Sequence, residues 1–213
     1  MSYQTFNGWS IIPMPSSPLP RQISFTMTDS VGETTSPWTM QSQVQQWPGA
    51  DWWELDVQLP PLSLTSARTW RAWFAALRGK ANVFQVGDPL GQTPGGTPSG
   101  APLGVVSATE NQPMATFLYT CGWTPNKNNL LLPGDYLQLG NRLHIVSGVS
   151  PVNSDANGNA TIEIWPSLRE SASGVTVQTS SCTGLFRLAD NKRQFSENYT
   201  RLFGLTFKAI EAR

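Results

Sequence analysis

Alternation of apolar and polar side chains starts at residue 23 and recurs along most of the chain. Ile23, Phe25 and Met27 alternate with Ser24, Thr26 and Thr28, the two-residue period of a strand with one buried face. Trp38 to Gln46 reads as a polar, Gln-rich strand suited to a sheet edge. Trp53, Leu55, Val57 and Leu59 then alternate with Trp52, Glu54, Asp56 and Gln58. That run stops at Pro60-Pro61, which cannot donate to a ladder. The period next lengthens. Ala67, Trp70, Trp73, Phe74 and Leu77 recur at helical spacing and predict one helix over 65–78. Thr65 or Ser66 is placed to cap its start, and Gly79 to stop it. Arg68, Arg71 and Arg78 fall outside the apolar stripe, so the helix is expected to lie across one face of a sheet.

Further strands are predicted over 82–86, 114–121, 136–139, 142–149, 160–165, 175–178, 184–189 and 203–210. Gly140-Asn141 between two of them reads as a tight hairpin turn, and residues 154–159 as another turn. Residues 90–104, filled with Gly, Pro, Thr and Ser, read as a surface loop or a passage between domains. The first 22 residues hold Pro13, Pro15, Pro18 and Pro20 and read as an extended arm. Such an arm must lie on its own domain or on a neighbouring subunit. Strands spaced by about ten residues favour sandwiches or barrels. The expected fold class is therefore all-β with one α-helix.

Composition changes this picture in one respect. Only 13% of the 213 residues are charged, against about 25% in ordinary soluble domains, while the chain holds nine Trp. A formal charge of zero does not suit a general nucleic-acid binder. A single histidine excludes multi-histidine metal sites. No apolar run reaches the roughly 20 residues of a membrane span, and residues 1–20 lack the pattern of a secretory leader, so assembly in a cytoplasm is expected. The Asn159-Ala160-Thr161 and Asn198-Tyr199-Thr200 sequons would then carry no glycan. Cys121 and Cys182 leave open a bridge or two reduced thiols.

The candidates for chemistry are few. His144 is the only imidazole through which a Ser-His-Asp relay would pass, and it sits in a strand pattern without a Gly-x-Ser-x-Gly elbow. Glu54 and Asp56 are paired carboxylates, yet two residues apart on one strand they are neighbours and do not flank a sugar ring. Asp155, Asn157 and Asn159 resemble the start of a calcium loop, but the glycine is misplaced and Pro166 stands where the closing Glu belongs. The glycines of 91–104 lack the Gly-Lys-Ser/Thr of a phosphate loop. Arg187, Lys192, Arg193 and Arg201 are interrupted by Asp190 and Glu197 and read as mixed surface. No catalytic residue, cofactor or metal ligand is expected.

Several segments in order resemble tail-tip proteins of long-tailed bacteriophages, the distal tail protein family. They are Ser36-Pro37-Trp38, Gln45 to Gly49, Trp52-Trp53, Leu59-Pro60-Pro61, the Trp70/Trp73/Phe74/Leu77/Gly79 helix and Phe84 to Pro89. Leu132 to Tyr136, Arg142-Leu143-His144, Asp155 to Thr161, Ile164 to Arg169 and Gly204 to Phe207 with Glu211-Ala212 follow. The resemblance spans most of residues 21–212 and implies a non-enzymatic structural protein of the virion. Such a protein forms a homo-oligomeric ring, expected to be hexameric, that joins the tail tube to the hub or baseplate. A β-sandwich belt-like domain is expected from 23–97 and 183–213, with a small inserted β-barrel or sandwich over 101–180, a split that rests on the Gly/Pro loop on one side and Thr179 to Gly184 on the other. Trp9, Trp38, Trp47 and Trp123, near arms, turns or strand ends, are the expected subunit contacts. The alternative reading is a carbohydrate-binding module attached to host-cell glycans, with Trp52, Trp123 or Trp165 as stacking platforms.

Overall fold

A computed structural model describes residues 3–107, 109–192, 196–197 and 203–213. The elements in chain order are β1 (Thr5–Phe6), β2 (Trp9–Ser10), β3 (Gln22–Thr35), β4 (Ser42–Gln58), α1 (Leu64–Leu77), β5 (Phe84–Val86), β6 (Gly100–Gly104) and β7 (Phe117–Trp123). They continue as β8 (Tyr136–Leu139), β9 (Arg142–Val146), β10 (Ala160–Trp165), β11 (Val177–Gln178), β12 (Gly184–Leu188), β13 (Ser196–Glu197), β14 (Phe203–Gly204) and β15 (Thr206–Glu211). The fold is all-β with a single helix among the described residues. The chain divides into two compact units, one of 1–26, 53–88 and 183–213, the other of 27–52 and 89–182. Residues 27–52 thus group with the second unit, although the sequence assigns them to the 23–97 domain.

The first unit is built on a sheet ordered β3-β4-β15-β12-β5. Its last strand returns to the early chain, with Phe207 opposite Val57 and Ala209 opposite Leu55. Trp53, Leu55 and Val57 are each 1% exposed, so the predicted alternation marks the buried face. Helix α1 buries Ala67, Trp70, Trp73, Phe74 and Leu77. Trp73 meets the Phe84 ring at 5.1 Å, and Phe74 meets Phe207 at 5.3 Å edge-on. Aromatic pairs in such geometry add about 1 kcal/mol each beyond their buried area. The helix begins one residue earlier than predicted, because Ser63, and not Thr65 or Ser66, accepts the Ser66 amide as N-cap. Arg78 in left-handed backbone ends it, just ahead of Gly79 at φ +67°.

Successive residues of β12 point to opposite faces, and both faces are covered. Phe186 lies 6.5 Å from Phe84 and 6.4 Å from Phe25. Leu185, its neighbour, packs with Val83 and Ala212 beneath Phe6, Trp9 and Ile11. The segment read as an arm therefore lies on its own unit at Phe6, Trp9 and Ile11. It forms the β1–β2 hairpin and bridges Ile11 to Val83.

The second unit is a sheet ordered β11-β8-β9-β10-β7-β6 that curls until Leu103 bridges Thr176, nearly closing a small barrel. Leu118, Leu130, Leu131, Leu137 and Ile162 are wholly buried inside it. Of the 90–104 segment read as a surface loop or inter-domain passage, residues 100–104 are strand β6 of this barrel, and 90–99 carry no strand or helix. Asp135 accepts the amides of Gly95, Gly96 and Leu132 at 2.6, 3.0 and 2.8 Å. A Cβ on Gly96 would strike the Leu130 carbonyl, and one on Gly104 the Ala172 carbonyl. Glycines that signal a loop in the sequence here permit backbones to touch. Gly104→Ala is expected to lower unfolding free energy by about 1–3 kcal/mol, the usual cost of overpacking. Urea denaturation checks this, and unchanged stability would contradict it.

Candidate interaction surface

His144 on β9 is 2% exposed, and its Nδ1 lies 2.7 Å from the Pro166 carbonyl. A carbonyl only accepts, so Nδ1 carries the proton and donates. Burial, aided by the charges of Arg169 and Arg142, lowers its pKa to about 4. Asp51 and Ser167, the other residue types of a catalytic relay, lie in the same unit but are wired differently. Ser167 Oγ donates to Asp51 Oδ1 at 2.8 Å, and Ser167 is 1% exposed. A buried serine bonded directly to a carboxylate, without histidine as its base, is a structural contact and not an activated nucleophile.

Glu54 and Asp56 lie on the polar face of β4 opposite Ile210 and Lys208. Asp155 accepts from the Asn157 and Asn159 amides, both at 2.8 Å, and from Asn159 Nδ2 at 3.0 Å. Those bonds hold its carboxyl below the usual range and make the segment a hairpin turn. Cys121 and Cys182 are free, and burial pushes the Cys182 thiol up to about 11. Arg187 is on β12 and Lys192 is exposed, while Arg193, Arg201 and the 198–200 sequon lie outside the described residues.

The tryptophans sort more sharply. Trp123 is not available for a subunit contact, because it is 3% exposed inside the barrel. Strict alternation would place it on the outer face with Phe117, Tyr119 and Cys121. A register shift between Gly100 and Leu103, with Gly122 at φ +87°, turns it inward. Its Nε1 then donates to Thr120 Oγ1 at 2.7 Å. Trp9 is half-buried against its own unit's core. Trp165, a stacking platform in the alternative reading, donates from Nε1 to Asp29 at 2.8 Å.

Trp38 and Trp47 remain exposed, at 90% and 47%. Both belong to the long β3–β4 hairpin. Its tip is a closed turn in which Ser36 N donates to Gln41 O at 2.9 Å and Met40 N to Ser36 O at 3.0 Å. Every side chain from 37 to 47 is exposed, and Met27, Val31, Met40 and Val44 add apolar surface to the two indoles. Trp47 lies over Gly32, where a Cβ would meet its ring at 2.6 Å. An aromatic ring spread over a strand glycine stiffens the ribbon.

Both strands of this hairpin are held within the second unit. Trp165 holds Asp29 on β3. On β4, Asp51 accepts Ser167 N at 2.5 Å and Arg169 Nη1 at 3.1 Å, and Arg169 Nη1 also reaches Gly49 O at 2.6 Å. Asp51 is 8% exposed. Burial alone would raise its pKa, but the Ser167 hydrogen bonds and the Arg169 charge outweigh that and lower it. Sequence reading missed Asp51, Ser167 and Arg169, since nothing in a pattern links positions more than a hundred residues apart. No family model matches the chain, and no curated protein matches its sequence.

Two pH windows follow. His144 is harder to protonate folded than unfolded, so its contribution is complete above about pH 6.5 and is lost toward pH 4. Stability should fall by about 2–3 kcal/mol between pH 7 and 4.5, and His144→Gln should flatten that slope in urea titrations. Asp51, with a depressed pKa, contributes fully above its unfolded value of 3.8 and loses that contribution as pH falls further. Asp51→Asn should cost about 3 kcal/mol at pH 7, because it removes the carboxylate charge that faces the buried Arg169 guanidinium. A loss below about 0.5 kcal/mol by the same titration would contradict the ion pair's role.

Proposed function

We propose that this chain is a structural component of a bacteriophage tail tip, forming a ring that joins the tail tube to the hub or baseplate. The observation that carries the reading is the exposed hairpin. A folded ribbon with Trp38 90% exposed and Met40 77% exposed at its tip is unusual for a surface that only meets water. Aromatics and methionine are enriched, and charged residues depleted, at the cores of protein interfaces. The chain's 13% charged content suits a molecule with partners on several sides. The ordered resemblance to distal tail proteins supplies the kind of assembly. In such an assembly the protein is part of the virion, made in the bacterial cytoplasm, and uses no cofactor. Among the described residues no helix is long and apolar enough to cross a membrane.

Sedimentation of the purified full chain, with mass spectrometry of purified particles from the phage that encodes it, tests this reading. A closed oligomer, with the chain among the virion proteins, is expected. A strict monomer that never enters virions would sink it.

A further inference from the structure

The hairpin and the helix carry opposite charge, and each lacks what the other offers. From 27 to 47 the hairpin holds Asp29 and Glu33 and no Lys or Arg. From 64 to 80 the helix and its following turn hold Arg68, Arg71, Arg78 and Lys80 and no acid. The outward face of α1 is also flat. Ala72 and Ala75 are exposed, with exposed Arg68 and Arg78 beside them at helical spacing. A floor of alanines rimmed by guanidinium groups accepts an indole ring lying flat, because Arg stacks on aromatic faces.

Resting on the ring reading above, we infer that the β3–β4 hairpin tip of one copy docks on the outer face of α1 in the next copy. Trp38 is the anchor on Ala72 and Ala75, and Glu33 faces Arg68. The ion pair alone contributes little at a surface. Its role is to set register and to reject wrong partners, while the buried indole supplies the affinity. The charges also argue against hairpin meeting hairpin, since two acidic ribbons would then oppose each other. A contact between two different surfaces is heterologous, and repeated rotation can close it into a ring. Each copy then offers one hairpin and one helix face, with none left over.

Full-length chains on a Cys121→Ser background test the docking. Thr39→Cys, which keeps the Trp38 indole, and Ala72→Cys variants, mixed under mild oxidation, should form a disulfide-linked pair that neither forms alone. Trp38→Ala, which removes a side chain 90% exposed and so spares the fold, should weaken self-association about tenfold or more. Arg68→Glu should also weaken it, and adding Glu33→Arg should restore it. Cross-linking of Thr39→Cys with itself and not with Ala72→Cys would overturn the docking in favour of hairpin pairing. Self-association and virion entry that ignore Trp38→Ala and Arg68→Glu would overturn the docking and leave the ring reading standing. A chain that is monomeric at every concentration and absent from virions would end both.

Discussion

A carboxylate can be buried only where hydrogen bonds and an opposite charge replace water, and Asp51 is where this chain meets that condition. Ser167 supplies two donors and Arg169 supplies the charge, all from the segment that follows β10. Asp51 stands on β4 just before the strand's buried alternation begins. The contact therefore fixes where the hairpin leaves the packed part of its unit. The Trp165–Asp29 bond does the same for β3. With both strands held, the ribbon beyond them can keep its exposed tryptophans without a core of its own. Two-stranded ribbons are marginal by themselves in water, so this anchoring makes the candidate interaction surface a defined shape.

Local periodicity carried much of the fold in advance. The alternations at Trp53–Leu59 and the stripe Ala67–Leu77 are the buried faces of β4 and α1 because each is covered by one layer only. The Gly140-Asn141 turn joins β8 to β9 as read, with Gly140 at φ +58°. Legibility ended where long-range backbone contact decides the outcome. Gly96 and Gly104 look like loop residues because their missing side chains matter only against Leu130 and Ala172. Trp123 looks outward until Gly122, at φ +87° and opposite the irregularity between Gly100 and Leu103, shifts the period. The sequence reads as two strands, Trp38 to Gln46 and Trp53 to Leu59, yet β4 runs unbroken from Ser42 to Gln58.

The site followed the same division. Trp38 and Trp47 could be picked from the sequence because turns and edges leave large side chains uncovered. Trp9 and Trp123 were picked by the same argument, and tertiary packing accounts for both. The contrast between scarce charge and abundant tryptophan thus narrows to one ribbon. Most of the indoles serve the two cores or contacts within a unit, while Trp38 stands 90% exposed at the hairpin tip.

The most direct test of the proposed tail-tip role is a cryo-EM map of intact tails from phage particles produced by cells that express this chain. The account predicts a closed ring of copies at the tail tip with residues 36–41 of each hairpin buried against a neighbour. A tail map without the chain, or a ring in which every Trp38 faces solvent, would contradict it.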